Sequence, residues 1–128
     1  MTNAKAKILI VDDDQAVCNM LKKFLTKEGY QTTSVLTGQE GIKKVRQEEF
    51  QAVLLDIKLP DIDGLEVLKR IREFYKKIII VMITAVKDDE VGRKCLDFGA
   101  DDYITKPLGL TYLKNVLLVK LLNFKNKK

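Results

Sequence analysis

The sequence predicts an α/β fold, a doubly wound five-stranded parallel sheet with helices on both faces. Strand-like and helix-like segments alternate five times along 128 residues, with short connections between them. The run Ile78 to Ile83 is apolar at every position, as a parallel strand covered on both faces must be. The second strand-like segment is polar and the fifth is short, which suits edges. The first, third and fourth are apolar and suit the centre, so the expected strand order is 2-1-3-4-5.

Each element has a local reason. Ile8 to Val11 forms the first strand, and the helix after it carries Val17, Leu21, Phe24 and Leu25 at helical spacing. Asp14 is placed to cap that helix and Gly29 to close it. Thr32-Thr33-Ser34-Val35 is polar but β-capable. Thr37-Gly38-Gln39-Glu40 has the capping-box pattern, opening a second helix with Ile42 and Val45 inward. Ala52 to Leu55 is the third strand, and a loop through Pro60 reaches Asp63-Gly64. The third helix has Leu65, Leu68 and Ile71 on one face.

After the fourth strand, Asp88, Asp89 and Glu90 sit where negative charge complements a helix dipole. Val91, Cys95 and Phe98 are expected on that helix's inner face, with Gly99 ending it. Gly92 within it costs about 1 kcal/mol against alanine and is expected to loosen it or simply be tolerated. Tyr103-Ile104 is the short fifth strand, and the last helix carries Leu110, Leu113, Leu117 and Leu121.

A chain of this size buries roughly two-thirds of its unfolded surface, enough for one domain with a real core. Residues 1–124 are read as that domain and 125–128 as a basic C-terminal tail or truncated linker. The longest apolar run, Ile78 to Ile83, falls far short of the roughly 20 residues of a membrane span. The N-terminus lacks a signal-peptide layout, so the expected location is the cytoplasm, with no membrane partner. Cys18 and Cys95 lack metal-type spacing and read as small buried hydrophobes. The net charge is +5, but residues 103–128 hold six lysines and no acid, leaving 17 basic against 18 acidic residues elsewhere. That distribution argues against nucleic-acid binding by this domain alone.

The polar residues at the strand ends carry the chemistry. Asp12-Asp13-Asp14 follows the first strand, Asp56 the third, Thr84 the fourth, and Thr105-Lys106-Pro107 the fifth. In a parallel sheet these ends share one edge, and ligands bind there where the strand order reverses, between strands 1 and 3. Carboxylates, a hydroxyl and an ammonium meeting at that edge suit a divalent metal and a phosphoryl group.

These residues resemble the receiver domain of two-component response regulators, from about Lys7 to Leu122. The resemblance rests on Ile8-Leu9-Ile10-Val11-Asp12-Asp13, on Leu54-Leu55-Asp56-Ile57-Lys58-Leu59-Pro60-Asp61-Ile62-Asp63-Gly64, on Met82-Ile83-Thr84-Ala85, and on Gly99-Ala100-Asp101-Asp102-Tyr103-Ile104-Thr105-Lys106-Pro107. It implies a flavodoxin-like (βα)5 fold and a phosphorelay switch. Asp56 would accept a phosphoryl group from a histidine kinase or phosphotransfer protein. Asp13, with Asp12 acting through water, Asp56 and the backbone carbonyl of Lys58 would hold Mg²⁺, or Mn²⁺ in its place. Thr84, Ala85 and Lys106 would bind the phosphoryl group, the Lys106–Pro107 bond being cis as in receivers. Thr84 and Tyr103 would form the switch, and Lys58 and Val86 would tune the lifetime of the phosphorylated state.

The 128 residues contain no histidine, so the phosphohistidine donor lies outside them. The resemblance implies no enzyme beyond self-catalysed phosphorylation and dephosphorylation. It implies a downstream protein or fused output domain, and a monomer or phosphorylation-dependent dimer. Three other readings of the residues remain: the receiver half of a DNA-binding transcription factor, a phosphate-independent binding module, and an aspartyl phosphatase. Intact Asp13, Asp56, Thr84 and Lys106 disfavour the second. Lys58, standing where the third would place a second acid, disfavours that one.

Overall fold

A computed structural model describes residues 6–126, with side chains through residue 123. The strands are β1 (Lys7–Val11), β2 (Gln31–Val35), β3 (Ala52–Leu55), β4 (Ile79–Thr84) and β5 (Asp102–Thr105). They form one parallel sheet in the order β2-β1-β3-β4-β5. The helices are α1 (Gln15–Lys27), α2 (Gly38–Gln47), α3 (Gly64–Phe74), α4 (Asp89–Asp97) and α5 (Leu110–Asn126).

The two-residue period of a strand divides the core. Leu9, Val11, Val53, Leu55, Ile80 and Met82 face one way and meet Ile42, Val45, Val67, Leu68, Ile71 and Cys95 of α2, α3 and α4. Ile8, Ile10, Leu54, Val81 and Ile83 face the other way, onto Cys18, Leu21 and Leu25 of α1 and Leu113, Leu117 and Leu121 of α5. Both faces of the central strands are therefore dry. Register then sets the site: Val11 and Leu55 are neighbours across the β1–β3 pair, so Asp12 and Asp56, the next residues, leave the sheet side by side.

Caps hold the helix ends. Asp14 accepts from the N–H groups of Ala16 and Val17, Asp63 from Leu65, and Asp88 from Glu90 and Val91. Gly29 and Gly99 end α1 and α4 with φ of 98° and 106°, the left-handed region glycine enters freely. The capping box at α2 is altered: Thr37 accepts from Glu40 N–H, but the Glu40 carboxylate takes the Thr37 hydroxyl rather than its N–H.

One expectation for α4 is corrected. Phe98 is 37% exposed, because it stands at the helix C-cap where the chain has turned off the sheet. The Lys69 ammonium lies 4.6 Å from its ring centre. Gly92 is buried, and a Cβ there would make a close contact with the Tyr103 ring at 3.3 Å. On α3, Val67 joins Leu68 and Ile71 in the core while Leu65 is only half-buried. The backbone of α5 runs helical through Asn126, past residue 124. The rest of the tail, and the N-terminal residues 1–5, lie outside the described residues. Among the described residues no helix is long and apolar enough to cross a membrane. Cys18 and Cys95 are both free and buried, which pushes their thiols up, the latter to about 11, and the Cys18 thiol donates to the Asp12 carbonyl at 3.3 Å.

Candidate functional site

Asp56 leaves β3 buried, its N–H donating to the Val11 carbonyl at 3.0 Å. One carboxylate oxygen accepts from the N–H groups of Ile57 at 2.7 Å and Lys58 at 3.4 Å. The other accepts from the Lys106 ammonium at 3.1 Å. Gly64 makes this packing feasible. A Cβ there would fall 2.1 Å from the Asp56 carbonyl oxygen, so α3 starts this close to β3 only with glycine at its first position.

Asp12 is buried beside Asp56. Its carboxylate accepts from Asp14 N–H at 2.9 Å and from Lys106 Nζ at 2.8 Å. Burial pushes its carboxyl above the usual carboxylate range. The Lys106 and Asp14 hydrogen bonds oppose that shift, and the nearby Asp56 charge adds to it. Asp13 is exposed, and no hydrogen bond or ion pair engages it among the described residues. Burial also works against the Lys106 ammonium, but its bonds to Asp12 and Asp56 win and hold its pKa above the ordinary lysine value. Lys106 is fixed at its backbone too: its N–H donates to the Thr84 carbonyl at 2.8 Å, and its bond to Pro107 is cis.

Asp12, Asp13 and Asp56 each bring one carboxylate oxygen into a group whose members all lie within 4.8 Å of one another. Hard anionic oxygens in this number suit Mg²⁺, which takes a few carboxylates and keeps waters. Three carboxylates against one ammonium also leave an excess of negative charge that a divalent cation would offset. The donor set fits the ion.

A second group adjoins the first. Thr84 is fully buried and its Oγ1 accepts from Val86 N–H at 3.3 Å. The Val86 carbonyl in turn accepts from the Tyr103 hydroxyl. Val86 therefore ties the hydroxyl at the end of β4 to the aromatic residue on β5, whose ring lies on Gly92. Ala85 and Lys58 are exposed beside these groups and Val86 is half-buried. Asp61 and Arg72 take roles in the scaffold that the sequence does not assign them. Asp61 reaches α2, and Arg72 pairs with Asp101 below the sheet; both partnerships span more than twenty residues and have no local signature.

Residues 8–118 match the family described as the response regulator receiver domain. The chain belongs to that family. The receiver is 42% identical over 106 residues to the transcriptional regulatory protein YcbL of Bacillus subtilis, covering 82% of this chain and 46% of that protein. It is 40% identical over 102 residues to the alkaline phosphatase synthesis transcriptional regulatory protein PhoP of the same organism, covering 79% and 42%. The chain spans less than half the length of either. Among solved structures, a CheY-like receiver from Methanospirillum hungatei superposes with a TM-score of 0.92 at 35% identity, covering 95% of this chain and 98% of that one. The BeF3-activated receiver of RstA from Klebsiella pneumoniae gives 0.86 at 30% identity, covering 90% and 97%. The fold is thus the receiver fold, and the function is that of a two-component signalling module.

Proposed function

We propose that this receiver is a Mg²⁺-dependent switch whose phosphoacceptor is Asp56. The carrying observation is that Lys106 Nζ bridges Asp12 and Asp56 within a cluster of three carboxylates. An Asp56 oxygen attacks the phosphorus of a phosphohistidine, the phosphorus–nitrogen bond breaks with its electron pair going to the ring nitrogen, and neutral imidazole leaves with the proton already on its other nitrogen. The N–H groups of Ile57 and Lys58 hold the other carboxylate oxygen, which orients the nucleophile. Lys106 gives up its bond to Asp56 and follows the phosphoryl oxygens as a fixed positive charge. Thr84 supplies a hydroxyl donor, with Ala85 beside it. Asp12, Asp13, Asp56 and the Lys58 carbonyl would hold Mg²⁺, which when bound offsets the charge of the incoming phosphoryl group.

Movement of Thr84 toward the phosphoryl group breaks its bond from Val86 N–H. Because Val86 also holds Tyr103, the change passes to the outer face of α4, β5 and α5. Lys58 and Val86, at the rim, control access of hydrolytic water. The donor is a histidine kinase or phosphotransfer protein, and the reader is a protein target or a fused output domain. The names of the two Bacillus relatives as transcriptional regulators support the fused arrangement.

Intact mass after incubation with acetyl phosphate and Mg²⁺ tests this. One added phosphoryl group is expected, absent from Asp56→Asn and from a metal-free sample. No gain in mass, and no response to beryllofluoride by the folded protein, would sink the proposal and leave a phosphate-independent binding module.

A further inference from the structure

Asp61 belongs to the loop between β3 and α3 but acts on another element. Its two carboxylate oxygens accept from the N–H groups of Gly38 and Gln39, each at 2.8 Å, at the start of α2. Thr37 takes the next N–H, that of Glu40. The Asp61 charge sits at the positive end of the α2 dipole. Burial works against this carboxylate, but the Gln39 and Gly38 N–H groups outweigh it and hold the carboxyl below the usual range. Ile62 follows and presses so closely on α2 that a Cβ on Gly38 would fall 2.6 Å from its side chain.

Between residues 58 and 62, among the described residues, the long-range hydrogen bonds are these two. Lys58 itself has only a 3.4 Å bond from its N–H back to Asp56. Leu59 and Ile62 of this segment pack on the core, but its long-range polar anchor is the one side chain of Asp61. We propose that Asp61 is a positioning residue of the phosphoacceptor site, setting its affinity for a divalent cation by clamping the β3–α3 loop to α2. The inference rests on the proposed function and adds a residue to it. Groups that orient metal ligands without touching the metal typically change affinity by about 10–100-fold when removed.

The test compares Asp61→Ala, Asp61→Asn and Thr37→Ala with the parent chain. Mg²⁺ affinity of the unphosphorylated protein is measured by calorimetry, and metal-free stability by urea unfolding. Thr37→Ala and Asp61→Ala both remove an α2 cap, so both are expected to lower stability. Only Asp61→Ala is expected to weaken Mg²⁺ binding, on the order of tenfold. Its phosphorylation rate should recover at saturating Mg²⁺. Asp61→Asn keeps one acceptor oxygen and should fall between it and the parent, and it carries the comparison alone if the alanine variant does not fold. Unchanged Mg²⁺ affinity in the Asp61 variants, or an equal loss in Thr37→Ala, overturns the inference and leaves Asp61 a helix cap. A parent chain that binds no Mg²⁺ and takes no phosphoryl group overturns the proposed function first.

Discussion

The two edges of the sheet use charge in opposite ways. At the edge where the strands begin, Arg72 of α3 donates to the carbonyls of Gly99, Tyr75, Lys76 and Ile78 and pairs with Asp101 at 3.0 Å. Asp101 also accepts from Ile80 N–H, so one guanidinium joins the ends of α3 and α4 to β4. One guanidinium there faces one carboxylate, and both are fully engaged in hydrogen bonds. At the other edge three carboxylates cluster, of which Asp12 and Asp56 share the Lys106 ammonium while Asp13 is unengaged among the described residues. A balanced cluster fastens the fold; an unbalanced one keeps capacity for a ligand.

The largest effect should come from breaking the balanced edge. Arg72→Met takes the guanidinium from several carbonyls and leaves Asp101 with the Ile80 N–H but no countercharge, and removing one partner of such a network typically costs about 3–5 kcal/mol. Arg72 and Asp101 keep some exposure, so the lower end is expected, read as a shift in urea midpoint. A loss below about 1 kcal/mol, the range of an exposed pair, would erase the contrast between the edges.

Next in size is the response of the unbalanced edge to metal. At a hundredfold excess over Kd, Mg²⁺ should stabilise the parent chain by about 2.7 kcal/mol, because it binds only the folded state. Asp13→Ala should abolish most of that gain, whereas Arg72→Met should retain it on a lower baseline. Thermal melts with and without Mg²⁺ decide this, and equal gains in the Asp13 variant and the parent would remove Asp13 from the ligand set.

The smallest effect concerns Glu48, which receives the Lys7 and Lys44 ammoniums at 2.6 and 2.8 Å near the start of β1. Those bonds, Lys44 first, lower its pKa from the usual 4.5 to about 2. A depressed carboxyl stabilises the fold above its unfolded value, and that contribution fades as pH falls from about 4.5 toward 2. Glu48→Gln should flatten this part of the Tm–pH curve and leave the Mg²⁺ response unchanged. A variant curve that matches the parent through this range would show that the ion pairs hold no stability.

Much of the site was legible because it is written in neighbouring residues. An apolar run followed by an acid, at the end of a parallel strand, states both where the carboxylate emerges and which edge it joins. Asp12, Asp13, Asp56, Thr84 and Lys106 are legible in the sequence for that reason. Phe98 was misplaced because helical periodicity marks a face but not the point where a helix parts from the sheet. Gly92 was read by its propensity, since its real neighbour, Tyr103, arrives from another strand.

The sequence by itself determined the element order, the strand arrangement, most caps and the residues of the acidic edge, because periodicity and capping act within a few positions of the chain. Only the tertiary structure decided that Asp61 clamps α2, that Arg72 closes the opposite edge with Asp101, and that Val86 links Thr84 to Tyr103. Asp61 and Arg72 meet partners more than twenty residues away, and Val86 joins two strands across a helix. No local rule reaches that far, because such partners meet only after the sheet has closed and its register has fixed which loops lie side by side.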